Sequence, residues 1–426
     1  MQRLNQRNPW RARLTLLLLL SAVTCLSQFY RVSNSVIGPE IALELGLSSA
    51  QLGLAGGAFF FALFLAQIPV GMAFDRWGAR LTVSRISVLA VMGGYWIAHA
   101  HSAVELIAAR FLVGLGCAAS FMSAVFLCAR WFGTARLTLV ISWVFATSNL
   151  GTLAAATPLA WAAQQFGWRQ TFVVLSAITA VIGVAFWCVV RDDPPGTTHR
   201  PRTNESLSSV WSGLLQVWRT PGLGPVFAMH VFAYAAMVTI LGVWAGPYLH
   251  DVHALNAVDR GQVLLAMGIT QIVGLLAFGP LDRILGTRKK IVIASMSASI
   301  AVFLCLASIQ QPPLALTVVL LCALPLFSSC SILIVAQGRA LFPEHLAGRA
   351  VTTVNLAQVL GAASLPALTG WVVGCLAGPA VAGASAPEIA YRAVFATLAA
   401  ASSCGLMIYL RSPDSRPTPS NKTALR

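Results

Sequence analysis

Residues 67–85 read QIPVGMAFDRWGARLTVSR, a charged turn between two apolar stretches, and a second copy, GPLDRILGTRKK, stands at residues 279–290. The first carries Gly71, Asp75, Arg76, Gly78 and Arg80, the second Asp282, Arg283, Gly286, Arg288 and Lys289. Gly71 is placed to let a helix end approach its neighbour. Asp75 and Arg76 fall at a boundary where charge is tolerated, and Gly78 supplies the positive φ of a reversal. One basic turn is common in membrane proteins, but two at matching places in the two halves indicate a duplicated architecture.

Working outward, the chain of 426 residues is 57% hydrophobic and only 10% charged, with a mean hydropathy of +0.77. Soluble domains carry about a quarter charged residues, so this is a polytopic membrane protein. A span needs about 20 apolar residues, and about a dozen such stretches can be marked. The apolar residues run continuously instead of alternating, which disfavours a transmembrane barrel.

The net charge of +15 would fit nucleic acid if it were clustered on one surface. Instead, 23 of the 28 Lys and Arg fall in seven short segments separated by nearly charge-free ones. That is the positive-inside pattern of cytoplasmic loops. It implies an even number of spans, both termini in the cytoplasm, and no nucleic-acid partner. The nine cysteines lie scattered in apolar stretches without a CxxC pair and read as small buried hydrophobes. Arg13 followed by LTLLLLLSAVTC imitates a signal peptide, yet removing it would put the halves out of register, so it is read as the first span. Arg outnumbers Lys by 25 to 3, the usage of a GC-rich bacterial genome, which points to the bacterial inner membrane.

The expected fold is all-α: twelve transmembrane helices as two six-helix bundles, residues 1–190 and 223–411, with a cytoplasmic linker at 191–222 and a tail at 412–426. Glu40 and Glu44 are assigned to the loop after the first span, and the eighth span is expected to open at about residue 261. The linker is rich in Pro, Thr, Ser and Arg, with an interfacial helix expected around Val210 to Trp218. Gly361, Pro366 and Gly370 are expected to mark bends.

Six plus six spans, a basic central linker and the repeated turn resemble the major facilitator superfamily over essentially the whole chain. The resemblance implies two bundles rocking about a central site, with Gly71, Asp75, Arg76, Gly78, Arg80, Asp282 and Arg283 forming a conformational latch. The alternative is that these residues only anchor tight turns.

Charged groups inside a bilayer are costly and mark function. Arg31 falls in the first span and Arg110 in the fourth, while none of the thirteen acids falls near the middle of a span. A guanidinium without an internal carboxylate is left for water or a bound anion, and its planar fork suits a carboxylate or phosphate. The alternatives are that Arg31 snorkels to the interface and that Arg110 ties its helix to a neighbouring carbonyl.

FYRVSNSVIGPEIALELGLSSAQLGLAGGAFFFALFLAQIPVGMAFDRWGAR and RFLVGLGCAASFMSAVFLCARWF resemble, more narrowly, the anion:cation symporters that carry sugar acids and related carboxylates. The resemblance implies that Arg31, with Tyr30 beside it, contacts a substrate carboxylate, and it matches Arg110 to an Arg opening the fourth helix. The sequence departs where that branch carries Asp and Glu: here stand Tyr30 and Cys117. Those acids are the usual proton carriers, so His230 in the seventh span is the remaining coupling candidate, the alternative being a polar contact in the bundle. Asn34, Gln271, Asn355 and Gln358 lie on helices that line the central cavity in the superfamily, and interhelical hydrogen bonds explain them equally well. Tyr234 could stack on a ligand or simply pack.

The expected activity is therefore secondary transport of a small organic anion, by a monomer in contact with lipid, without cofactor or resident metal. Export of a metabolite, drug or siderophore on the same fold is the alternative. Copper import through Met229, His230, Met237 and Cys117 fits less well, since no dense cluster of soft ligands appears. No HExxH pair supports an intramembrane enzyme, and no GxxxxGK[ST] loop supports a nucleotide-driven pump.

Overall fold

In hydrocarbon a chain must satisfy its own backbone hydrogen bonds, so each long apolar run becomes a helix. A computed structural model describes residues 9–194, 220–342, 347–376 and 386–414, with the side chains of residues 9, 75, 133–139, 282, 283 and 347–352 outside the description. Among the described residues twelve helices are long and apolar enough to cross a membrane: α1 (Trp10–Leu45), α2 (Ser49–Phe74), α3 (Arg76–Ala98), α4 (Ala103–Phe132), α5 (Val140–Phe166), α6 (Trp168–Val189), α7 (Leu223–Asp251), α8 (Ala257–Leu281), α9 (Lys289–Ser308), α10 (Leu314–Ala340), α11 (Thr353–Leu376) and α12 (Glu388–Tyr409). The expected all-α polytopic architecture of two six-helix bundles is what the chain adopts. The bundles meet along α1 with α7, α2 with α11 and α5 with α8. The linker segment around Val210 to Trp218 and the tail beyond residue 414 lie outside the described residues.

The duplication extends well past the two basic turns. Gly78 (φ 80°) and Gly286 (φ 64°) both adopt the left-handed backbone that reversal requires. After each, the first amides of the next helix are capped by an acid from the end of the same half. Arg80 N donates to Asp192 Oδ1 at 2.8 Å, and Lys289 N to Asp414 Oδ1 at 3.2 Å. At the opposite end an Arg at the start of each sixth helix holds the carbonyls that close each third helix. Arg169 donates to Ala98 O and Ala100 O, both at 2.9 Å, and Arg392 to Ala307 O at 2.7 Å and Ser308 O at 3.2 Å. The aromatic residue just before that Arg bonds an acid at the end of the first helix of its half, Trp168 to Glu44 and Tyr391 to Asp251, each at 2.5 Å.

Three expectations need correction. Helix α1 runs on to Leu45, so Glu40 and Glu44 lie on its last turns and not in a loop; Pro39 is accommodated within it. Helix α8 begins at Ala257, which brings Arg260 inside a span. Gly71 makes no close approach, since a Cβ there would meet only the Met122 methyl at 3.5 Å. Close approaches across the seam between the halves include Gly53 and Gly261, where a Cβ would come within 2.9 Å of Gly370 Cα and 3.0 Å of Thr157 Cα. Small residues at such crossings let backbones touch, which is how helices associate without a hydrophobic driving force.

Hydrogen bonds cross the seam at residues 31–40 of α1: Arg31 donates to Tyr234, Gly246 N to Ser35, and Arg260 to Val36 O and Glu40. Those of Arg80, Arg130, Thr287 and Lys289, at the end carrying the basic turns and the linker, stay within one half. We call the two ends the linker end and the far end.

Candidate functional site

A small cavity of about 20 Å³, open on one side, lies where four helices from both halves converge. Helix α1 contributes Gln28, Arg31 and Val32, α5 Thr152, α7 Tyr234, Met237, Val238, Leu241 and Gly242, and α8 Gln271. Five of these ten residues, Gln28, Arg31, Thr152, Tyr234 and Gln271, carry polar side chains, and they set its chemistry.

Arg31 is the cation of that wall. Its Nη1 donates to Tyr234 Oη at 3.1 Å, and its guanidinium lies 5.9 Å from the Phe60 ring centre. Its Nε is buried without a partner. Neither partner is an acid, so among the described residues the positive charge is met by a neutral hydroxyl and a ring face. A guanidinium in that setting favours an incoming anion, because only a charged acceptor offsets what its partial burial costs.

The local backbone of α7 explains how Arg31 reaches the seam. Residues Ile240–Trp244 form a π-helical turn, a bulge that recurs at functional sites. Within it Gly242 lies against α1, where a Cβ would stand 3.1 Å from Arg31 O. One turn on, a Cβ on Gly246 would fall 1.6 Å from Ser35 O, and its amide donates to Ser35 Oγ at 3.0 Å. Two glycines thus let α7 lie directly on the stretch of α1 that carries Arg31.

Of the residues singled out from sequence, Arg31 and Gln271 meet in the cavity, with Tyr234 opposite. Tyr30 points away: it is fully buried and its hydroxyl pairs with Thr179 of α6 at 3.2 Å. Arg110, 2% exposed, lies outside the cavity lining and inside the first bundle. It donates to Tyr30 O at 2.9 Å, Ser33 Oγ at 3.3 Å and Ala55 O at 3.4 Å, over the Phe59 ring. Asn34 is buried with its Nδ2 unpartnered. Asn355 and Gln358 are half-buried on α11, away from the cavity lining. His230 is buried beside Gln358, with no hydrogen-bond partner for either ring nitrogen among the described residues. Among the turn residues Arg76 is exposed, Arg80 Nε donates to Trp187 O at 2.7 Å, and the side chains of Asp75, Asp282 and Arg283 lie outside the description.

Sequence reading missed Thr152, Gly242 and Gly246, which carry no pattern of their own, and weighed Met237 only as a soft metal ligand. It also missed Arg260, 1% exposed and paired with Glu40. A signal for Arg260 was present: it is one of five basic residues that fall outside the seven basic segments, with Arg31, Arg110, Arg169 and Arg392. All five make specific contacts in the folded chain.

Known proteins match this picture. A "Putative tartrate transporter" of Agrobacterium vitis is 24% identical over 77% of this chain and 77% of its own length. The "Probable galactarate/D-glucarate transporter GarP" of Escherichia coli (strain K12) is 29% identical over 46% of this chain, which spans only 45% of that relative. The resemblance to the organic-anion branch is thus shared with named relatives. A bacterial homolog of the human lysosomal transporter Spinster, solved in an inward-facing and occupied conformation, superposes with a TM-score of 0.77 at 17% identity, covering 97% of this chain and all of that one. At that identity the likeness establishes the fold alone. The model of the Major Facilitator Superfamily matches residues 17–366, from α1 into α11, and the chain belongs to that superfamily.

Proposed function

We propose that the protein is a secondary transporter that carries a small organic anion, a carboxylate of the sugar-acid or hydroxy-acid class, across the bacterial inner membrane by alternating access. The observation that carries this reading is Arg31: a cation at the seam of the two halves, facing a cavity, with a buried Nε unpartnered and no acid beside it. The named tartrate and galactarate/D-glucarate relatives supply the substrate class.

In this reading a carboxylate docks on the Arg31 fork, and Gln271 and Gln28 hydrogen-bond the hydroxyls that such acids carry. Arg110 acts on the site indirectly, by holding the Tyr30 carbonyl next to Arg31. The halves, residues 1–190 and 223–411, move as bodies joined by the 191–222 linker, and a single chain suffices. The linker end faces the cytoplasm in this reading, because basic residues such as Arg80, Arg130 and Lys289 lie there. The residues of the two basic turns form the linker-end latch. His230 is the coupling group, being the buried protonatable side chain on the helix that carries the bulge.

The test is uptake into proteoliposomes of tartrate, glucarate and a hexuronate, with and without a pH gradient. Accumulation of at least one is expected, with Arg31→Ala losing about 3 kcal/mol of binding, more than a hundredfold in Kd. Normal transport by Arg31→Ala would end the anion-site reading.

A further inference from the structure

The far end of the molecule carries a feature that its internal repeat does not account for. Arg260 on α8 pairs with Glu40 on α1, so the ion pair joins the two halves. Those of Arg130 with Asp193, Arg169 with Glu44 and His250 with Asp251 each stay within one half. The Arg260 guanidinium is almost wholly enclosed, at 1% exposure against 36% for the Glu40 side chain. It also donates to Leu255 O at 3.0 Å and to Val36 O at 3.3 Å.

The repeat provides the comparison. Helices α2 and α8 open at equivalent N-caps, Ser48 and Asn256, and the seam glycines Gly53 and Gly261 stand five residues beyond each. The position equivalent to Arg260 is therefore Leu52. Glu44 and Asp251 are likewise equivalent through their aromatic partners, which sets Glu40 against Pro247. Neither charge of the pair has a charged counterpart, so building a half-bundle does not require it. Among the described residues the pair is also incompletely satisfied: Arg260 Nε and Glu40 Oε2 are buried without partners. A cross-seam pair of opposite charges with open hydrogen-bonding atoms is suited to exchanging its partner for water when the seam parts.

We infer that the Glu40–Arg260 pair is an electrostatic latch that holds the far end closed, and that it must break for the central cavity to open on that side. The inference rests on the two halves behaving as a rocking carrier and is independent of which substrate Arg31 takes. The pair sits beside the Ser35–Gly246 contact, so the latch and the tightest backbone crossing close together.

Hydrogen–deuterium exchange of the full chain in lipid nanodiscs, without substrate, reads the latch directly. In Glu40→Gln and in Arg260→Gln, amides of residues 36–48 and 246–262 should exchange about tenfold faster, a shift typical of coupled two-state equilibria. Residues 71–82 and 279–290 at the linker end should exchange more slowly as that side closes. The double variant should match either single one, because both remove the same interaction. Exchange that rises at both ends together, stays unchanged in either single variant, or adds up in the double variant would overturn the latch. None of these readouts involves an anion, so failure of the latch and failure of the anion site are separately visible.

Discussion

The Arg31 guanidinium donates from Nη1 to the Tyr234 hydroxyl at 3.1 Å, and that bond runs from one six-helix half to the other. The residue best suited to hold an anion is thus also tied to the opposite half by a weak neutral acceptor. A carboxylate is a stronger acceptor than a phenol, so arrival of substrate is expected to displace Tyr234 and change how the halves are joined.

Tyr234→Phe keeps the ring and removes the competitor. One more guanidinium donor is then open before substrate arrives. Anion affinity measured by calorimetry should rise by about 1 kcal/mol, roughly fivefold, while turnover in proteoliposomes falls because the link across the seam is lost. A fall in affinity would mean that the hydroxyl holds the substrate itself.

Arg31→Lys tests geometry apart from charge. An ammonium is a point donor and cannot make the paired bonds that a planar fork offers a carboxylate. Binding should weaken by about 2 kcal/mol, close to thirtyfold, yet remain measurable. Equal affinity for wild type and Arg31→Lys would show that charge alone attracts the anion.

Arg110 stands apart from the cavity, so its effect should be indirect. Its bonds to Tyr30 O, Ser33 Oγ and Ala55 O fix α1 against α2 just where Arg31 branches off. Replacing a buried, hydrogen-bonded charge by a hydrophobe of similar length removes the cost of desolvating it together with the bonds it makes, and the two effects oppose. Arg110→Met should accordingly melt within a few degrees of wild type but weaken anion binding about tenfold, roughly 1.4 kcal/mol. An unaltered Kd would reduce Arg110 to a packing residue.

What the sequence revealed follows from which interactions leave a pattern. Twelve apolar runs and the Gly78 and Gly286 turns are one-dimensional signals, and the structure carries them almost unchanged. Arg31 stood out because a charge inside a span is rare. The exact ends of spans were less legible. Glu40 was assigned to a loop because an acid ordinarily ends an apolar run, but here Arg260 from the other half compensates it. Such a partner is 220 residues away in the chain and cannot be anticipated locally. Gly361, expected to mark a bend, also has room beside it for the Val231 carbonyl, which would lie 1.9 Å from a Cβ. A glycine at a bend and a glycine at a crossing look identical until the neighbouring helix is placed.

Gly246 shows what such a crossing costs to fill. A Cβ there would fall 1.6 Å from Ser35 O, a backbone atom that cannot swing aside. Gly246→Ala should keep the far end from closing. Transport should fall below about a tenth of wild type, and impermeant thiol reagents should reach a cysteine placed at Ser35 from the far side. Wild-type transport would show that α1 and α7 need not touch.

The loop between α7 and α8 supplies a pH test outside the membrane-spanning segments. His253 Nε2 lies 3.1 Å from Thr317 Oγ1, and the ring packs edge-on against Tyr248 at 5.6 Å. Burial disfavours its charged form and pushes the imidazole below its ordinary value, with Glu388 pulling weakly the other way. The unfolded chain therefore takes up a proton at a higher pH than the folded one. Above the ordinary imidazole value both states are neutral, and His253 adds no pH dependence. As the pH falls through that value towards the folded one, only the unfolded state gains the proton, so stability declines. Melting temperature in detergent should drop between about pH 7 and pH 5, and His253→Gln should flatten that part of the profile. A wild-type profile retained in His253→Gln would move the titration to another group.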